Sequence, residues 1–264
     1  MKSCLYLISL LIITINGYTQ QSTASKNVSW FMLDAPQLKT SKKIWVYLPY
    51  NYTTSTKKFP VVYMHDAQNL FDNATAYAGE WRIDESLDSL KAQAIVVAIE
   101  HGNDKRIDEL TPYKNEQYGG GNAGTYLDFI VKTLKPHIDR NYHTKPSRAN
   151  TVIFGSSLGG LASYYALLKY PDVFGKAGVF SPSLWFSNDI YLFTEGIDKV
   201  KAKLYVIAGD SESEQMVPDV ERLKVLLSGK ISKPSLFIKI VEGGKHNEAL
   251  WRKEFVQAYL WLMD

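Results

Sequence analysis

Three kinds of side chain in this sequence could together activate a hydroxyl for attack on a carbonyl. Ser157 stands between glycines in Gly155-Ser156-Ser157-Leu158-Gly159, and His246 sits in Gly243-Gly244-Lys245-His246-Asn247. Between them lies a loop of carboxylates, Gly209-Asp210-Ser211-Glu212-Ser213-Glu214. A serine hydroxyl is a poor nucleophile until an imidazole takes its proton, and the imidazole serves best when a carboxylate holds it in the right tautomer. The chemistry such a set would perform is acyl transfer through a serine ester.

That chemistry needs the serine on a sharp bend, and the flanking residues supply one. Val152 to Phe154 are β-formers that lead into Gly155, while Leu158, Leu161, Ala162, Tyr165, Ala166 and Leu168 fall near helical spacing after it. Strand, turn and helix in that order make a nucleophile elbow, in which glycines are required because side chains would collide with neighbouring backbone. The backbone N–H of Leu158 would then face an oxyanion, near the positive end of the following helix.

The order serine, acid, histidine is the one an α/β-hydrolase uses, each partner on a loop after a strand. Of five histidines only His246 lies beyond the elbow, after the last β-type run and before the final helical stretch. Three carboxylates compete for the acid. Asp210 follows a glycine and suits a turn-shaping role, Glu212 lies mid-loop where a longer side chain reaches further, and Glu214 borders the next segment. The residues favour Glu212 and leave the other two open.

A second oxyanion donor belongs on the loop after an early strand. Phe59 to Met64 is an almost continuous apolar run, suited to a strand buried on both faces, and His65-Asp66-Ala67-Gln68-Asn69 follows it directly. The N–H groups of Ala67 and Gln68 are the candidates, and His65 and Asp66 are expected to brace the loop by hydrogen bonding. With six tryptophans and 17 tyrosines, some aromatics are expected to line a cleft, Trp81 and Trp185 foremost.

The remaining elements frame these loops. Val28 to Leu33 and Lys43 to Leu48 alternate as two opening strands, Ala94 to Ile99 is a further buried strand, and Trp81 to Lys91 reads as an amphipathic helix. Lys105 to Gly124, with Pro112 and three consecutive glycines at 119 to 121, reads as a long surface excursion. Tyr126 to Ile138 carries a helical stripe. Strands at Lys176 to Phe180, Leu204 to Ala208 and Leu236 to Val241 alternate with helices at Val217 to Leu227 and Asn247 to Leu262. This alternation predicts the α/β class, with a mostly parallel sheet covered by helices on both faces.

At 264 residues, 45% of them hydrophobic, the chain can bury the core of one α/β domain. A net charge of +3 without a basic block gives no reason to expect nucleic acid as a partner. Lys2 followed by the apolar run Cys4 to Ile15 reads as a signal peptide over residues 1–19, cut after the small residues Gly17 and Thr19. The domain would then span residues 20–264 in a secreted or periplasmic protein with no stable membrane span. The single cysteine, Cys4, would leave with the signal, so neither a disulfide nor a thiolate metal site is expected.

Several segments together resemble the esterase family of α/β-hydrolases that contains esterase D, feruloyl esterases and the siderophore esterases. They are His65-Asp66-Ala67-Gln68-Asn69-Leu70-Phe71-Asp72, Gly79-Glu80-Trp81, Gly155 to Gly160, Ser181-Pro182-Ser183-Leu184-Trp185 and Gly244-Lys245-His246. The resemblance covers nearly the whole mature chain and implies a triad of Ser157, Glu212 and His246. It implies a small-molecule or carbohydrate-linked ester as substrate and neither metal nor cofactor in the reaction. One departure is Ala67, where such proteins usually carry glycine; a positive φ there would strain an alanine. An acyltransferase of the same fold and a ligand-binding module without catalysis are the alternatives.

Overall fold

A computed structural model describes residues 21–264. The expected signal peptide lies outside the described residues. Eight strands form one sheet: β1 (Val28–Ala35), β2 (Thr40–Tyr47), β3 (Val61–His65), β4 (Ile95–Ile99), β5 (Thr151–Ser156), β6 (Lys176–Phe180), β7 (Lys203–Gly209) and β8 (Leu236–Val241). Their order across the sheet is β1-β2-β4-β3-β5-β6-β7-β8. The β1/β2 and β2/β4 pairs are antiparallel, and every pair from β4 to β8 is parallel.

The helices are α1 (Ile83–Ser89), α2 (Arg106–Leu110), α3 (Ala123–Phe129), α4 (Lys135–Asn141), α5 (Leu158–Lys169), α6 (Asp189–Glu195), α7 (Met216–Leu227) and α8 (Glu248–Met263). They divide between the two faces of the sheet, as the apolar runs require. Successive strand side chains point to opposite faces, so in β3 Val61 and Tyr63 join the core beneath α3 to α7, while Val62 and Met64 join the core beneath α1 and α8. Both faces are apolar because both are covered.

Three local departures from the sequence reading have physical causes. The expected helix from Trp81 begins only at Ile83, because Arg82 takes a left-handed conformation with φ 57° and the Trp81 N–H goes to the Asn69 carbonyl at 2.8 Å. The stripe read as one helix from Tyr126 to Ile138 contains a π-helical turn at Ile130–Leu134. Pro136 follows it and has no N–H to give to a carbonyl one turn back, which the widened turn accommodates.

Lys105 to Gly124 is no loose excursion. It contains α2, whose Glu109 is buried in an ion pair with Lys42, and its glycines 119 to 121 all have positive φ in a tight return.

Candidate active site

Ser157 closes β5 and opens α5 with φ 56° and ψ −123°, a conformation that costs energy for any residue but glycine. The bend is held by its own backbone. The Ser157 N–H donates to Phe180 O at 2.9 Å, and its carbonyl accepts from Leu161 and Ser183. The glycines are dictated by space: a Cβ on Gly155 would meet the Gly159 carbonyl at 2.7 Å, and one on Gly160 would meet Phe180 O at 2.7 Å. Gly159 would press its own Cβ to 3.1 Å from that of His65.

Across the ends of the strands, the loop after β7 turns Glu212 inward. Its side chain is only 1% exposed, yet every oxygen has a donor. Oε1 accepts from Ser181 Oγ at 2.7 Å and from the Gly209 N–H at 2.5 Å, and Oε2 faces His246 Nδ1 at 2.6 Å. Trp251, in the first turn of α8, donates its indole N–H to Ser181 Oγ at 2.8 Å and lies edge-on to the His246 ring at 5.1 Å. The imidazole is thus fixed through Nδ1 while the ring stays 36% exposed.

Asp210 points elsewhere: it accepts from the Gly243 N–H at 2.8 Å and from Ser211, joining the two loops. Glu214 is exposed.

Ser157 and His246 line one cleft of about 750 Å³, with Gln68, Tyr77, His101 and Arg106 among its other walls. No hydrogen bond joins the two side chains; the Ser157 hydroxyl has Ser183 Oγ at 3.4 Å. Among the described residues the N–H groups of Leu158, Ala67 and Gln68 have no backbone acceptor outside their own elements, and of the three residues Gln68 lines the cleft while Leu158 and Ala67 are buried beside it. Trp81 is 2% exposed and forms part of the cleft wall, stacked on Phe180. Trp185 does not line this cleft. It stands half exposed with its ring edge-on to Tyr118 at 5.7 Å.

The early loop is braced by the two residues expected to brace it. Asp66 forms a two-pronged ion pair with Arg106 at 2.7 and 2.9 Å, and the guanidinium holds its carboxyl below the usual range despite burial. His65 Nδ1 pairs with the Tyr126 hydroxyl at 2.9 Å, and burial pushes its pKa down to about 4. The left-handed residue of the loop is Asp66, with φ 58°, and not Ala67, which opens a short 3₁₀ turn without positive φ. Alanine therefore carries no strain of the kind its substitution for glycine suggested.

Sequence reasoning did not single out Ser181, Trp251 or Arg106 as parts of the site. Trp251 is invisible because its role depends on α8 folding back beneath Ser181, whereas Ser181 stood in a segment already noted for its resemblance.

A family model described as "Putative esterase" matches residues 35–262. The chain belongs to this esterase family. The activity class is therefore carboxylic ester hydrolysis.

The esterase is 28% identical over 237 residues, 84% of this chain and 92% of the relative, to the uncharacterized protein YbbA of Bacillus subtilis. It is 30% identical over 149 residues, 51% of each chain, to the ferri-bacillibactin esterase BesA of the same species. With the endo-1,4-beta-xylanase/feruloyl esterase of Xylanibacter ruminicola it shares 24% identity over 79% of this chain but only 27% of that longer protein. The crystal structure of the BES protein from Bacillus cereus has the same fold, with a TM-score of 0.74 at 17% identity over 99% of both chains. No helix among the described residues is long and apolar enough to cross a membrane.

Proposed function

We propose that this esterase hydrolyses an acyl ester through a serine acyl-enzyme, with Ser157 as nucleophile, His246 as general base and acid, and Glu212 as the orienting carboxylate. One observation carries the reading: His246 shares a cleft with the strained Ser157 and has its Nδ1 on a buried, fully hydrogen-bonded carboxylate. With Nδ1–H donated to Glu212, Nε2 is left as the acceptor. Ser157 Oγ attacks the ester carbonyl as its proton passes to Nε2. The carbonyl oxygen, now negative, takes the N–H groups of Leu158 and of Ala67 or Gln68. Collapse releases the alcohol, which receives the proton from His246, and water then repeats the sequence on the acyl-enzyme.

Catalytic contacts are commonly longer before substrate arrives. The substrate class is a carbohydrate-linked, phenolic or siderophore-type ester, by likeness to relatives named feruloyl and ferri-bacillibactin esterases. Export to the periplasm or medium rests on Lys2 and the apolar run from Cys4 to Ile15.

The test is Ser157→Ala with p-nitrophenyl acetate and a fluorophosphonate probe. Hydrolysis is expected to fall by about a thousandfold or more with the melting curve unchanged, and labelling to vanish. Retained turnover, or labelling elsewhere in the variant, would overturn the assignment. N-terminal sequencing of exported protein checks the cleavage.

A further inference from the structure

A second group of carboxylates lies outside the cleft, where residues 22–27 run against the loop before α1 and against α1 itself. Ser22 Oγ donates to Asp72 at 2.6 Å, and Thr23 donates to both Asp72 and Glu80 Oε2. The Ser25 N–H donates to Asp84 Oδ2 at 2.7 Å, and Asn27 donates to Asp88 at 2.8 Å.

These donors leave two oxygens over. Glu80 Oε1 and Asp84 Oδ1 are buried without a hydrogen-bond partner among the described residues, Glu80 being 4% and Asp84 0% exposed. No lysine or arginine among the described residues forms an ion pair with either carboxylate. Arg252 reaches only the backbone carbonyl of Glu80.

We infer that Glu80, Asp84 and Glu85 bind a divalent hard cation, calcium by its ligand set, which fastens the segment around Thr23 and Ser25 to α1. The three side chains offer carboxylate oxygens that all lie within 4.8 Å of one another. Calcium takes several carboxylate oxygens at once in a flexible geometry, whereas magnesium is commonly held by one or two carboxylates and keeps its waters, so a set of three carboxylates favours calcium. The donors are all carboxylate oxygens, with no imidazole or thiolate that would favour zinc.

Glu85 is exposed and opens the group to solvent, while its two buried neighbours supply carboxylates that no ion pair among the described residues neutralises.

None of the three carboxylates lines the cleft, so the ion acts on the scaffold and takes no part in ester hydrolysis. Its effect is read in stability. The purified protein, stripped with chelator at pH 8, is melted with and without CaCl₂ or MgCl₂ and titrated calorimetrically with Ca²⁺. One calcium per chain and a rise in Tm of about 5 °C or more at a hundredfold excess over Kd are expected.

Asp84→Asn and Glu80→Gln should lose that shift. Should either fail to fold, Glu85→Gln, on the surface, carries the test: it should melt like the stripped wild type and bind calcium at least tenfold more weakly. An unmoved Tm with no bound metal, an equal calcium shift in the variants, or a response to Mg²⁺ alone would overturn the assignment.

Discussion

His65 and His246 line the same cleft, yet their surroundings give them opposite chemistry. His65 ends β3 beneath the elbow, 2% exposed, paired with a phenol and held neutral by burial down to about pH 4. His246 stands on a glycine-flanked loop with its ring open on one side and a buried carboxylate behind the other. A base that must take up and release a proton in each turnover needs solvent-linked access and a negative partner to stabilise the imidazolium. His65 has Asp66 nearby, but Arg106 already claims that carboxylate through both oxygens. Burial holds one histidine uncharged, and the other has the access and the partner that the proposed base needs.

The largest effect that sharpens this contrast is in turnover. His246→Ala is expected to lower kcat on the order of ten-thousandfold with the fold intact, whereas His65→Gln should leave kcat within about tenfold while destabilising the protein by about 1–3 kcal/mol, since it strands the buried Tyr126 hydroxyl. Steady-state kinetics and urea unfolding on both variants decide it. Comparable losses in kcat from the two would erase the distinction.

Next comes the carboxylate behind His246. Glu212→Ala should cost on the order of a thousandfold in kcat, because the imidazole loses its orienting partner. Asp210→Ala, which frees the loop around Gly243, and Glu214→Ala, at an exposed position, should each stay within about tenfold. A deeper loss from Asp210→Ala than from Glu212→Ala would move the acid.

The third effect is on stability against pH. The folded pKa of His65 is lowered to about 4 from an ordinary 6.5, so its contribution is fully present above pH 6.5 and is lost as pH falls toward 4. The span corresponds to about 3 kcal/mol. Unfolding free energies measured at pH 7 and at pH 4 should converge between wild type and His65→Gln as the pH drops.

The order of motifs along the chain singles out His246 for the proposed base, since the fold's sequence of serine, acid and histidine leaves only a residue beyond the elbow eligible, and the structure puts it in the cleft with Ser157. The strand ladder was legible for the same kind of reason: β6 and β8 are short apolar runs bounded by polar turns, and they fall where their periodicity put them. What could not be read is set by contacts distant in sequence. Arg82 turns left-handed to free the Trp81 indole for the cleft wall, and nothing local announces it. Arg106 looked like one charge in a loop, and it becomes the brace of Asp66 only when α2 lies against the early strand's end. Trp185 was expected to line the pocket as an aromatic in the turn from Ser181 to Phe186, but its ring stands half exposed outside the cleft, edge-on to Tyr118.

The smallest effect concerns how His246 is kept in place. Trp251 Nε1–H, Ser181 Oγ and Glu212 Oε1 form one line of hydrogen bonds that ends at the imidazole. Ser181→Ala removes one of the two donors to Oε1 and leaves the Gly209 N–H, so the carboxylate keeps its place with more freedom. A loss of about tenfold in kcat with KM unchanged is expected, because a loosened base affects the transition state more than substrate binding. Trp251→Phe deletes the first donor but keeps an aromatic ring beside His246, and about threefold should be lost. The two changes act on one chain of contacts, so the double variant should lose little more than Ser181→Ala alone. Full additivity would mean that Trp251 supports His246 through ring packing, independently of the serine.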